Sequence, residues 1–338
     1  MPDWQLTERD QDLFARDLQS FVPPVVFDAH AHWYHLAHFA EGTVTPFLQN
    51  GPASAGREAY QAAMQQLTPG RTTTGLFFPY PRSQLKIEQA NEFLAKELLA
   101  CPGSRGQMLV TPADDPEWIR EQVQQHGFVG LKCYHIYAPT EPTFDARIEE
   151  FLPEEQVRIA HEEGLTITLH MVKARALAEP DNQETIRRYC TRYPQMQLIL
   201  AHAARGFNPH HTIEGIDALA DLPNIWFDTS VVTDAGALEI ILQRHGSERL
   251  LYGSDFPVSQ MRGRCVALGD TFFWISAENT QLNVPYANLE LALIGHEALR
   301  TLKVACLSTK QSDKQVEDIF WRNAQRLWNL KSVVDVTC

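Results

Sequence analysis

No apolar run in the 338-residue chain approaches the roughly 20 residues that cross a membrane. Basic residues are scarce: 29 Lys and Arg face 42 Asp and Glu, for a net charge of −13. A phosphate backbone needs basic patches, so no nucleic-acid partner is expected, and the acidity serves solubility. The six cysteines, Cys101, Cys133, Cys190, Cys265, Cys306 and Cys338, make no CxxC pair and no regular framework, which predicts reduced thiols. There is no low-complexity linker. The opening "MPDWQLTERDQDLF" lacks the basic and apolar regions of a signal peptide, and a cytoplasmic location is expected.

What is present is a series of short apolar runs. "VVFDAH" begins at Val25 and is followed by "TTTGLFF" (72–78), "GQMLVTP" (106–112), "FVGLKCY" (128–134), "LTITLH" (165–170), "LILAH" (198–202), "NIWFDTS" (224–230) and "RLLYGSD" (249–255). Each reads as a buried strand. Amphipathic stretches separate most of them, among them "KIEQANEFLAKELL", "PEEQVRIAHEEG", "DNQETIRRYCTRYP" with Asp181 and Glu184 in a capping-box relation, and "DAGALEIILQRHG" opening on Asp234. Eight buried strands alternating with helices predict a parallel sheet closed into a (β/α)₈ TIM barrel, one domain over residues 1–338. The runner-up is a doubly wound open sheet, which usually carries a Gly-rich phosphate loop after its first strand; none is here. An N-terminal helix capped by Thr7 and Asp10 and stopped by Pro23-Pro24 precedes the barrel. Long loop excursions follow strand one (33–71) and strand eight (256–312), and extra helices end the chain.

A barrel gathers its chemistry at the C-terminal ends of its strands. His30 and His32 end the first strand and, two residues apart, share a direction. His170, His202 and Asp255 end later strands. Taken singly, each has a plain reading: a core histidine, or an aspartate that caps a turn. Together they predict one metal site of imidazoles and carboxylate, which suits zinc and also iron, manganese or nickel. Asp28 lies one layer deeper with the same parity and either orients an imidazole or pairs elsewhere. Lys132, Tyr134 and Arg205 sit at the mouth as candidate substrate contacts, Arg205 as a fork for a carboxylate or as a loop salt bridge. His135 and Tyr137 flank that rim, Trp33 is placed to wall the pocket, and His35 and His38 read as loop surface.

"FDAHAH", "LTITLH", "LILAHAARG", "LLYGSDFP" and "FWRNAQRLWNL" resemble, in that order, the amidohydrolase superfamily, in the branch that includes aminocarboxymuconate-semialdehyde decarboxylase and related hydrolases and lactonases. The resemblance implies metal ligation by His30, His32, His170 and Asp255, and a base or polariser role for His202 beside a metal-activated water. Asp255 would be ligand and proton acceptor at once. It implies one divalent ion, zinc first, with manganese or iron as alternatives. Some members carry a carboxylated lysine that bridges two metals, and Lys132 is the residue placed for it. The expected activity is hydrolysis of an ester, lactone or amide bond in a small, anionic metabolite. The alternatives are nonoxidative decarboxylation, which calls for an arginine such as Arg57, Arg71 or Arg82, and a barrel that binds without catalysing. A homo-oligomer is left open.

Overall fold

A computed structural model describes residues 3–276 and 290–331; Cys338 and positions 277–289 of the second excursion lie outside them. Strand β1 (Val25–His35) is followed by the short β2 (Ser54–Ala55), then β3 (Thr72–Pro79), β4 (Arg105–Leu109), β5 (Gly130–Cys133), β6 (Thr166–Leu169), β7 (Gln197–Leu200), β8 (Ile225–Asp228) and β9 (Leu250–Leu251). From β1 through β3 to β9 each strand pairs in parallel with the next, and β2 lies antiparallel on β1. The two ends meet. Ala29 N–H donates to Tyr252 O (2.7 Å), Asp255 N–H to His30 O (2.7 Å) and His32 N–H to Phe256 O (2.6 Å). These bonds close the cylinder, and all eight predicted strands take part: the fold is a (β/α)₈ barrel. Strands covered on both faces read as continuous apolar runs, and β5, β6 and β8 are buried at every position.

Interior positions carry Phe27, Ala29, Leu76, Phe78, Ile199 and Leu251, and the C-terminal helices plug this layer with Trp321 and Trp328. Phe27 stacks on Trp328 at 5.2 Å between ring centroids. That explains the terminal "FWRNAQRLWNL": its tryptophans close the barrel floor. Simple alternation along β1 fails here. The pairing register slips between Asp28 and Ala31, so Phe27 and Ala29 face inward and Asp28 does not share the direction of His30. Asp28 instead accepts bonds from Tyr60 Oη (3.0 Å), Ser254 N (2.8 Å) and His30 N (3.2 Å).

The excursions are less loop-like than expected. The first holds β2 and a helix, Arg57–Leu67; the second holds a hairpin of β10 (Gly263–Leu268) and β11 (Thr271–Ser276), then a helix, Ile294–Ser308. The helix at Pro180–Arg192 starts before the expected capping box. Pro180 takes its first turn, where a missing N–H costs nothing, and Asp181 pairs with Lys173. Thr7 with Asp10 and Asp234 cap their helices as expected. The five described cysteines are buried and form no disulfide. Among the described residues no helix is long and apolar enough to cross a membrane.

One buried ion pair ties the N-terminal helix to the start of the hairpin. Arg262 Nη1 and Nη2 bind Asp10 Oδ1 and Oδ2 at 3.1 and 2.5 Å, with the side chains 2 % and 1 % exposed. Removing one partner strands the other charge. Arg262→Met should therefore destabilise the fold by about 3–5 kcal/mol in urea unfolding. A loss under about 1 kcal/mol would show that water reaches the pair.

Candidate active site

His30 and His32 reach the barrel mouth from the end of β1, each with one ring nitrogen anchored. His30 Nδ1 lies 2.8 Å from Asp228 Oδ2, and His32 Nδ1 lies 3.2 Å from the Pro79 carbonyl. Burial works to raise the Asp228 pKa, but His30, His202 and Ser230 outweigh it and hold the carboxyl below its usual range. A carboxylate and a carbonyl only accept, so both Nδ1 atoms carry the hydrogen and both Nε2 atoms present lone pairs. Burial, reinforced by Lys132, keeps both imidazoles below their ordinary pKa and neutral. Their Nε2 atoms nevertheless face a carboxylate: Asp255 Oδ1 is 3.5 Å from His30 Nε2 and 3.3 Å from His32 Nε2. These are therefore not ion pairs. Burial raises the Asp255 carboxyl above its ordinary range against the pull of His30, His202 and Lys132. Ligand atoms of His30, His32 and Asp255 lie within 4.8 Å of one another, and His30 Nε2 is buried without a hydrogen-bond partner. Converging lone pairs of this kind fit a cation between them. Gly253 lets the chain leaving β9 come this close, since a Cβ there would meet His30 Cβ at 2.9 Å and Ser230 Cβ at 3.1 Å.

His202 follows β7 on an unusual turn. His202, Ala203, Ala204 and Arg205 all have positive φ, from 52° to 59°. Non-glycine residues occupy this region at roughly 1–2 kcal/mol each. The turn is held by His202 N–H on Asp228 Oδ1 (2.8 Å), Gly206 N–H on His202 O (2.7 Å) and Thr212 Oγ1 on Ala203 O (3.0 Å). His202 Nδ1 lies 3.0 Å from Ser230 O and 2.9 Å from Ser230 Oγ, so it too carries the hydrogen. Nε2 is then an acceptor, which fits a base and not an N–H polariser. Burial draws His202 down to about 4 although Asp255 and Asp228 pull it up. His170 Nδ1 is anchored on Met171 O (3.0 Å), and its ring lies 5.2 Å from that of His202, outside the tight group of His30, His32 and Asp255.

His30, His32, His202 and Asp255 line a cavity of about 340 Å³, whose other walls include Tyr80, Arg82, Tyr134, His135 and Phe144. The sequence model of the family described as amidohydrolase matches residues 27–330. The chain belongs to the amidohydrolase family. Solved structures agree on the fold. An amidohydrolase 2 from Bifidobacterium longum subsp. infantis is 18 % identical, with a TM-score of 0.55 over 91 % of this chain and 100 % of that one. The 2,6-dihydroxybenzoate decarboxylase from Rhizobium is 14 % identical, with a TM-score of 0.57 over 91 % and 99 %. The 5-carboxyvanillate decarboxylase from Novosphingobium aromaticivorans, complexed with manganese and 4-hydroxy-3-methoxy-5-nitrobenzoic acid, is 15 % identical, with a TM-score of 0.56 over 93 % and 97 %. A comparison with curated proteins gives no match.

In this amidohydrolase the remaining sequence candidates divide sharply. Tyr134 lines the cavity beside His170, their rings 4.7 Å apart. Lys132 is fully buried below it; Nζ has no hydrogen-bond partner and sits 4.7 Å from the Phe78 ring centroid. Burial draws its ammonium down to about 8 against the pull of Asp228, Cys133 and Asp255. Arg205 does not line the cavity: it donates to the Lys173 carbonyl and lies between Phe144 (4.6 Å) and Phe272 (5.2 Å). These contacts tie together the segments that carry Lys173, Phe144 and Phe272. Asp28 orders the Ser254–Asp255 turn and does not touch an imidazole ring; burial lifts it to about 7. Trp33 is buried against Phe77 at 3.9 Å, away from the cavity, because β1 continues past it to His35. His35 and His38 pack on Phe93 and are half-buried. The Arg57 backbone N–H donates to Glu97 and its guanidinium to Glu58, and Arg71 binds the carbonyls of Gln19, Val22 and Pro69.

Sequence reasoning passed over Asp228 and Ser230. Both stand in "NIWFDTS" at the C-terminal end of a recognised strand, which was the available signal. Asp228 accepts from His30, the His202 backbone and Ser230, and so couples the two imidazoles.

Proposed function

We propose that this amidohydrolase is a metal-dependent hydrolase of an ester, lactone or amide bond in a small carboxylated compound. His30, His32 and Asp255 hold one divalent ion, with His170 as a fourth donor; the donor set suits zinc, manganese or iron. Bound there, the ion supplies Lewis acidity. Asp228 and the Pro79 carbonyl keep the two imidazoles in the ligating tautomer. The observation that carries hydrolysis is that two proton acceptors, Asp255 and His202 Nε2, face one cavity. Hydrolysis takes a proton from water and returns it to a leaving group, so it uses positioned acceptors that can give the proton back. Metal analysis tests the frame: purified protein should hold close to one divalent ion per chain, and His32→Ala should lose it. Full activity without metal would end this reading.

Decarboxylation is the second reading. The cavity wall carries the cation Arg82 and the rings of Tyr80, Tyr134 and Phe144, a lining that suits a flat acid. Two of the three similar structures named above are decarboxylases by name, one bound to a nitrobenzoic acid. Release of labelled CO₂ from carboxyl-labelled aromatic acids would favour it, and turnover of lactones or esters without CO₂ would favour hydrolysis.

A further inference from the structure

Among the residues lining the cavity, Arg82 is the one Lys or Arg. The other basic groups near the rim are engaged or sunk. Arg205 is held by the Lys173 carbonyl and two aromatic faces, Lys173 pairs with Asp181, and Arg175 pairs with Glu214 and Asp270. Lys132 lies fully buried in the barrel. Arg82 differs from all of them. It has no ion pair among the described residues, and its Nε is buried without a hydrogen-bond partner. Its guanidinium carbon stands 5.6 Å from the Tyr80 ring centroid, within reach of a cation–π contact, which occupies none of its N–H donors. The loop is pinned: the Arg82 carbonyl accepts from Tyr137 Oη at 3.1 Å. A cation in a cavity wall, oriented from one side and unpaired on the other, lacks an anion.

We infer that Arg82 is the specificity residue of this cavity and binds the carboxylate of the substrate, in place of Arg205. The inference rests on reading the cavity as the substrate site, but not on which bond is cleaved. A carboxylate matches the donor edge of the guanidinium in a planar, two-point contact that a lysine or a neutral amide cannot reproduce. Tyr80 and Phe144 on the same wall favour a flat carrier for that carboxylate, such as an aromatic acid.

Binding separates this from the catalytic reading. Benzoate and its neutral counterpart benzamide are titrated by calorimetry into wild type, Arg82→Met and Arg205→Met, with and without added Mn²⁺. Arg82→Met should weaken benzoate at least 10-fold, in both metal states, and leave benzamide within 2-fold. Arg205→Met should not discriminate between the two probes. Arg82→Lys should recover only part of the benzoate affinity. Thermal melting of each variant checks the fold. Equal losses on both probes, no benzoate binding by wild type, or discrimination that follows Arg205 would each overturn the assignment. Hydrolysis of an ester panel, measured apart, can fail while benzoate still depends on Arg82, so the two readings fall separately.

Discussion

Asp255→Asn should lower kcat/KM by about 10³- to 10⁴-fold, the upper part of the range for a positioned acid–base group. One substitution removes two things. The carboxylate oxygen that stands 3.3 and 3.5 Å from the His32 and His30 Nε2 atoms becomes part of a neutral amide. The proton acceptor facing the cavity goes with it. Asparagine is the right probe because Asp255 has φ 55°, a left-handed conformation that Asn tolerates and most residues do not. The amide also preserves volume in a residue 6 % exposed, so a fold defect is not expected. Metal per chain should fall with activity, since the negative charge offsets that of the ion. Activity within 3-fold of wild type would remove Asp255 from the chemistry, and full metal content with lost turnover would leave it the proton role alone.

The barrel was legible because its strands are covered on both sides. Apolar runs such as "LTITLH" and "LLYGSD" announce themselves without any partner in view, and the fold rule then places their last residues on one rim. That is why His30, His32, His202 and Asp255 could be gathered from sequence. What failed was side-chain direction. Parity along β1 assumed an unbroken strand, and a register slip between Asp28 and Ala31 turned Asp28 away from the ligands toward Tyr60 and Ser254.

Partners were the second failure. A sequence shows that Arg205 and Arg82 both lie near strand ends, but not which of them is already engaged. Three positive-φ residues before Arg205 swing it under Phe144 and Phe272, where it serves as a clip. Arg82 is left facing the cavity, although it stands in no recognisable motif. Asp228 escaped notice for a related reason. An aspartate ending a strand looks like a cap until the histidine it anchors, 198 positions away, is brought beside it.

His202→Asn should keep the metal and lose turnover by about 10²- to 10³-fold, within the range for removing a general base. His202 is not one of the group of His30, His32 and Asp255, so metal content should stay near that of wild type. Its ring is fixed by Ser230, which accepts the Nδ1 hydrogen and leaves Nε2 as the acceptor on the cavity. Asparagine removes that acceptor. It also suits the turn, because His202 has φ 56° and Asn is among the residues that accept the left-handed region most readily. Alanine would confuse loss of a base with added backbone strain. If the loss is a base, kcat should fall with little change in KM, because the interaction is made in the transition state. A His202→Asn protein that binds no metal would make His202 a ligand, and the group of His30, His202 and Asp228 would then be the core of the site.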